Sequence, residues 1–351
     1  MMGNTTIQTM VSLLSNYQQL VVKQLGKYEM VGEYLTGDVD INVRLLCQMR
    51  TIVFLLKTAH LFKDAKHVDL AEALYAVSEE NYFKDGVWLQ QKKMDQEANL
   101  YSYAFVILAQ SYLYKITKNP LYAMALAETY SLIEPRFTVS YLFKPLSAHA
   151  CLEQNSAMHL FEALTFAYYQ ADAIYMKDAI KQLEILIASN FWQKDKNVLA
   201  EKITLQNAVV SYEAGHWFEW VSLLWRVEQA KGRAFINKDI LYASAIKYAT
   251  LTDTELVLNE MDSVFQPLDL EQIRIWPSLE YLRAKTLIEH HLPIVALNHF
   301  MAAFFDNKGL PKEYLLDKPV EKVKSTTGYH IAESFVDMLS IGCINNEKII
   351  F

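Results

Sequence analysis

The sequence predicts an all-α protein assembled from helical hairpins, and three observations carry that prediction. Turn residues are scarce, with only 10 Gly and 8 Pro in 351 residues; a β-sandwich or doubly wound α/β chain of this length needs more turn glycines. Apolar residues recur at steps of three and four, the period of a helix with one apolar face. Convincing strand-like alternation is absent.

The elements follow in order along the chain. Phe105, Leu108, Ala109, Tyr112, Leu113 and Ile116 share one helical face. Asn119-Pro120 breaks that pattern, and Leu121 to Leu132 resumes it. Leu160, Ala163, Leu164, Ala167, Tyr168 and Ala171 form another stripe, and Asp172 marks a gap before a helix from Tyr175 to Ser189. Such a series fits an open solenoid or a closed toroid of paired helices. A solenoid repeats signature residues at a fixed period, and none repeats here, so the toroid is expected. No Gly/Ser/Pro-rich linker divides residues 1–351, which read as one domain.

Composition narrows the function classes. The chain is 52% hydrophobic and 21% charged, enough for a sizeable core and unlike a disordered chain. A net charge of −7 and a pI near 5.8, with no Lys/Arg-rich run, argue against a nucleic-acid surface. Cys47, Cys151 and Cys343 are widely spaced and odd in number, which suits reduced thiols in a cytoplasmic protein. Neither a secretory leader nor an apolar run of membrane-spanning length is expected.

Nine histidines are present. Four stand in unusual contexts: Ser147-Ala148-His149, Met158-His159-Leu160-Phe161-Glu162, Gly215-His216-Trp217-Phe218-Glu219-Trp220 and Gly328-Tyr329-His330. Two share a His-x-x-Glu spacing, which on a helix puts both residues on one face, so each His is expected to be oriented by its own Glu or to share a pocket with it. Gly215 suits a tight helix start or a close backbone approach. Di-metal helical bundles use the opposite order, Glu-x-x-His, so no metal is expected. Most of the aromatics fill a helical core, but Trp217, Trp220, Trp276 and Tyr329 stand beside the histidine segments, where aromatic faces suit sugar rings. Phosphate loops, a GxSxG elbow and paired CxxC knuckles are missing.

Taken in order, six segments resemble the N-acylglucosamine 2-epimerase superfamily over residues 44–331. They are Gln48-Met49-Arg50-Thr51-Ile52-Val53-Phe54, Leu100-Tyr101-Ser102-Tyr103-Ala104-Phe105, Gln154-Asn155-Ser156-Ala157-Met158-His159-Leu160-Phe161-Glu162-Ala163, Glu213-Ala214-Gly215-His216-Trp217-Phe218-Glu219-Trp220, Arg274-Ile275-Trp276-Pro277-Ser278-Leu279-Glu280 and Tyr329-His330-Ile331. The Gly-His-x-x-Glu-Trp form is closer to the mannose isomerase and sulfoquinovose isomerase branch. Ala214 departs from that branch, which commonly carries Pro there, and Tyr103 from its His or Gln. The N-terminal region also lacks the branch's Gly-Gly-aromatic segment.

The resemblance implies an (α/α)6 barrel and proton transfer at a reducing sugar without metal or cofactor. It implies that His216 and His330 are the acid/base pair, and that His159 and Arg50 hold the ring or carbonyl oxygen. Glu219 and Glu280 would orient histidines or bind hydroxyls, with Trp276, Trp220 and Asn155 as further substrate contacts. The expected partner is a small sugar and the expected assembly a monomer or homodimer, and neither nucleic acid nor membrane is expected to be involved.

The chemistry has its own logic. A C–H next to a sugar carbonyl is weakly acidic, so its removal needs a positioned base and a stabilised enediolate. Histidine suits the first task near neutral pH, and a permanently charged Arg50 the second. Isomerisation moves the proton from C2 to C1, whereas epimerisation returns it to the other face of C2. The expected reaction is aldose–ketose isomerisation of a mannose-like sugar, with 2-epimerisation as the alternative. A glycoside hydrolase or lyase would need two carboxylates across a glycosidic bond, drawn from Glu162, Glu219 and Glu280. A non-catalytic helical scaffold leaves the His, Arg and Trp motifs unexplained.

Overall fold

The computed structural model describes residues 2–37, 43–133, 151–251, 254–316 and 322–342. The segment around His149 and the residue Cys343 lie outside them. Among the described residues the helices alternate between two rings. The even-numbered ones are α2 (Leu45–Phe62), α4 (Leu100–Thr117), α6 (Asn155–Gln170), α8 (Ala214–Lys231), α10 (Ile275–Glu289) and α12 (Thr327–Gly342). Each packs on the next, and α12 packs back on α2, closing a ring of six. The odd-numbered ones are α1 (Met2–Tyr28), α3 (Ala65–Tyr82), α5 (Pro120–Ile133), α7 (Lys177–Asn190), α9 (Lys238–Ala249) and α11 (Ile294–Phe304). They form the outer layer, with α3, α5, α7, α9 and α11 each against the preceding inner helix and α1 against α12. This is the (α/α)6 barrel.

Sequence decides the ring in which a helix sits. An outer helix needs one apolar stripe, and α7 buries Ile180, Leu183, Leu186 and Ile187 while its other positions face outward. An inner helix is covered all round, and α4 buries every residue from Ser102 to Leu113. By length and composition α2 could cross a membrane, with a mean hydropathy of 1.3 over 18 residues, but 83% of it is buried inside the barrel. The boundaries read from sequence hold well. Pro120 opens α5 after the break read at Asn119-Pro120, and the start of α4, which the sequence reading did not mark, is capped by Asn99 accepting from the Ser102 amide. The Asp172 gap is a left-handed residue followed by one 3-10 turn, Ile174–Met176, before α7.

The reading that strands are absent is corrected. Strands β1 (Phe83–Lys84) with β2 (Val87–Trp88), and β4 (Trp192–Gln193) with β5 (Val198–Leu199), are short hairpins. An antiparallel four-stranded sheet runs in the order β3 (Cys151–Glu153), β6 (Lys202–Thr204), β7 (Val209–Glu213), β8 (Glu260–Asp262). Strands of two to five residues are too short to show alternation. Their position matters more than their size: β3 leads into α6 and β7 into α8, so the sheet fixes where both helices begin.

Candidate active site

The six inner helices each contribute to one cavity from their first two turns: Arg50, Tyr101, His159, His216, Trp276 and His330. Its volume is about 160 Å³. Helix N-termini carry partial positive charge, so this end of the barrel favours an anion that forms during a reaction. Asn155, Glu213, Arg274, Glu313, Thr326 and Thr327 complete the wall.

The three histidines are held alike. His159 Nδ1 lies 3.0 Å from Glu162 Oε2, His216 Nδ1 2.7 Å from Glu201 Oε2, and His330 Nδ1 2.8 Å from Glu280 Oε1. With Nδ1 occupied behind the wall, Nε2 is the nitrogen left for the cavity. Trp276 packs beside two of them, its ring 5.1 Å from that of His216 and 5.2 Å from that of His330. Gly215 lets Trp276 come so close: a Cβ at Gly215 would collide with the indole.

Like mountings produce unlike charge. Burial opposes protonation of His216, but Glu201, Glu213 and Glu219 outweigh it and raise its pKa to about 9. Burial, together with Arg50, His159 and Arg274, pushes His330 well below its ordinary value. His159 is also lowered, by burial first and then by Arg50, against the pull of Glu162. At neutral pH the cavity therefore presents one imidazolium and two neutral imidazoles.

Arg50 is buried, bonds to the Tyr101 hydroxyl, and sits over the rings of Tyr101, Phe105 and Tyr329 at 5.5, 4.5 and 5.0 Å. Among the described residues it has no carboxylate partner, so its charge is available to the cavity.

Residues 54–291 match the N-acylglucosamine 2-epimerase (GlcNAc 2-epimerase) family. The chain belongs to that family. It is a sugar isomerase or epimerase. The structure is similar to D-mannose isomerase, at 18% identity and a TM-score of 0.80 over 94% of this chain and 97% of that one. It is also similar to cellobiose 2-epimerase from Bacillus thermoamylovorans, at 15% and 0.77 over 96% and 99%. An α-1,6-mannanase from Salegentibacter sp. shares the fold at 11% and 0.64 over 95% and 99%. No curated protein sequence matches the chain significantly.

Three of the expected site residues do not line the cavity, although Glu280 does orient a histidine, one of its two expected roles. Glu219, Glu280 and Trp220 are behind the cavity wall, not in it. Glu280 holds His330 and is itself held by Arg283. Trp220 donates its indole N–H to Gln154 Oε1 at 2.6 Å and packs on Phe161 and Phe235. Glu219 does not orient His216; its nearest histidine atom is His159 Nδ1 at 3.9 Å, and both its carboxyl oxygens lack hydrogen bonds. His216 lies in the first turn of α8, where side chains lean back towards the helix start. It therefore reaches Glu201, in the turn after β5. The same spacing works in α6, where His159 does meet Glu162.

Glu201 escaped the sequence reading entirely; its only trace is a lone acid closing the apolar run Val198-Leu199-Ala200. It is also tied to Gln154 Nε2 at 3.0 Å, and although burial opposes its charge, His216 and Gln154 keep its pKa low. Glu213 and Glu313 were missed as well. Nothing in their spacing marks them as cavity residues.

Among the described residues, two sets have metal-ligand spacing, His159/Glu162/Glu219 and Glu219/Glu280/His330. Their donors are largely committed. Glu162 also takes the Tyr329 hydroxyl at 2.6 Å, and Arg283 holds Glu280 at 3.2 Å. Burial, then Glu280 and Glu162, push the shared Glu219 well above the carboxylate range, which favours its protonated, poorly ligating form.

Proposed function

We propose that this enzyme interconverts an aldose and a ketose of the mannose–fructose type, with His330 as base and His216 as acid. The observation that carries the reading is the opposite bias of two histidines packed beside one indole. Environments that push two titratable groups apart assign the acid and the base.

In the open-chain aldose, neutral His330 takes the C2 proton. The electron pair forms the C1–C2 double bond, and the aldehyde oxygen becomes the enediolate oxygen. Arg50 and the helix N-termini stabilise it, and His216 protonates it. The O2 hydroxyl then returns its proton to His216 while His330 delivers its own to C1, giving the ketose. His159 beside Arg50 suits ring opening.

Both histidines end this cycle as they began. A two-base epimerisation, with His330 removing the C2 proton and His216 replacing it on the other face, would leave His330 charged and His216 neutral. That is the arrangement the surroundings disfavour, which supports isomerisation over 2-epimerisation. A cavity of about 160 Å³ is below the roughly 300–1,000 Å³ of pockets for larger ligands and suits one free monosaccharide. The carboxylates expected of a hydrolase, Glu162, Glu219 and Glu280, stand behind the wall, and of the two that line it Glu313 is held by Arg274 and Thr327.

The test is incubation with a panel of free aldoses in heavy water, followed by NMR. Ketose should appear with deuterium at C1, and exchange should place deuterium at C2 of the aldose. An epimer without ketose would replace this reading with 2-epimerisation, and neither product would end it. The committed donors also predict metal-independent turnover. Activity should survive exhaustive chelation, and its restoration by one divalent ion would point to metal catalysis.

A further inference from the structure

Glu213 ends β7 and occupies the N-cap of α8, three residues before His216. Acidic side chains near a helix start gain by accepting from its free N–H groups. Glu213 makes no such bond, and among the described residues its side chain has no hydrogen bond or ion pair. Instead it lines the cavity together with His216, Arg274 and Trp276.

The neighbouring cations are already engaged. Arg274 directs Nε and Nη2 at Glu313 Oε1, at 3.1 and 2.5 Å, and His216 holds Glu201. Lys202, on the adjoining β6, stands between Glu153 and Glu260. The described wall therefore offers one uncompensated cation, Arg50, and one uncompensated carboxylate, Glu213.

We propose that Glu213 is a substrate-contacting, specificity-determining residue that accepts a sugar hydroxyl on the His216 side of the cavity and turns away sugars carrying an anionic group there. The inference rests on the sugar-isomerase reading above. A hydroxyl donating to a carboxylate makes a charge-assisted bond, roughly twice as strong as a neutral one. A uronate or phosphate in the same place meets like charge, which is discrimination by repulsion. Burial raises the Glu213 carboxyl to about 7, with Glu201 and Glu260 adding to the rise and His216 and Arg274 opposing it. Repulsion of anions is accordingly complete only above that pH.

The test compares wild type, Glu213→Gln and Glu213→Asp at pH 8.5. Calorimetry measures binding of mannitol, a neutral open-chain polyol, and kinetics compare mannose with mannuronate. Glu213→Gln should weaken mannitol binding about tenfold, the scale of one hydrogen bond to a charged group. It should raise the KM for mannose by a similar factor, with kcat falling only as far as the lower pKa left to His216 dictates, and increase mannuronate use relative to mannose at least about tenfold. Glu213→Asp, which keeps the charge but shortens the reach, should lose affinity while still rejecting mannuronate.

Unchanged mannitol affinity and unchanged preference in Glu213→Gln would overturn the inference. Wild-type protein that binds mannitol but converts no aldose would sink the isomerase reading, while the binding comparison still decides Glu213. A protein that binds none of these probes overturns both.

Discussion

The starts of α8 and α12 look alike and behave as opposites. Each presents a buried histidine to the cavity with Nδ1 on a glutamate, at 2.7 Å for His216 and 2.8 Å for His330. Beyond that first partner they diverge. Glu213 adds negative charge around His216, whereas Arg50 and Arg274 add positive charge around His330, and Arg283 already engages its Glu280. A His–Glu pair alone therefore does not determine whether the histidine is an acid or a base; the charges a few ångströms further out do.

The largest effect should come from removing either histidine. His216→Ala and His330→Ala should each lose at least about 10²-fold in turnover, the scale of a positioned acid or base. The two variants should fail differently in heavy water. His216→Ala keeps the base and should still exchange the C2 hydrogen of mannose while forming little ketose. His330→Ala should neither exchange nor turn over. Exchange surviving in His330→Ala but not in His216→Ala would reverse the assignment, and near-wild-type turnover in both would remove histidine acid–base catalysis from the account.

A smaller change should test the comparison through pH. Activity needs His330 neutral and His216 protonated, so kcat/KM should fall on the acid side through the depressed pKa of His330 and on the alkaline side near 9. Glu201→Gln removes the chief anion beside His216. Its alkaline limb should move to lower pH, with a loss of about tenfold in kcat/KM at pH 8. Stability follows the same sign. His216 has a raised folded pKa, so the stability it contributes is complete below its unfolded value of about 6.5 and is lost as pH rises through about 9. Melting profiles of wild type should show that alkaline loss more strongly than those of Glu201→Gln. An unmoved alkaline limb in the variant would mean that another group sets it.

Which of these residues could be read from sequence follows from how they are held. His159, His216, His330, Arg50 and Trp276 belong to inner helices, whose period and local motifs survive in one dimension. The His159–Glu162 pair was legible because both residues belong to one helical face. Glu201 was not, because it comes from a turn between two-residue and three-residue strands and meets His216 only after the sheet has formed. The buried ion network below the site was equally silent. Lys57, Arg226 and Arg283 meet Glu333 and Asp337 from four inner helices, with ion pairs of 2.5–2.9 Å, and no spacing within one helix announces a contact between four.

The smallest expected effect on substrate binding separates two tryptophans that the sequence put together. Trp276 lines the cavity beside two of the histidines, whereas Trp220 stands behind it on Gln154. Trp276→Leu removes the surface against which a sugar ring would lie and should raise KM about tenfold. Trp220→Phe keeps an aromatic ring but leaves Gln154 Oε1 without its donor, and that oxygen is buried. An unmet buried acceptor costs about 1–3 kcal/mol, so the variant should melt lower while its KM for the sugar changes less than about twofold. Gln154 also donates to Glu201, so any loss of activity in Trp220→Phe should appear in kcat and in the alkaline limb that Glu201 sets. A large rise in KM with unchanged melting would place Trp220 against the substrate and contradict the position the structure gives it.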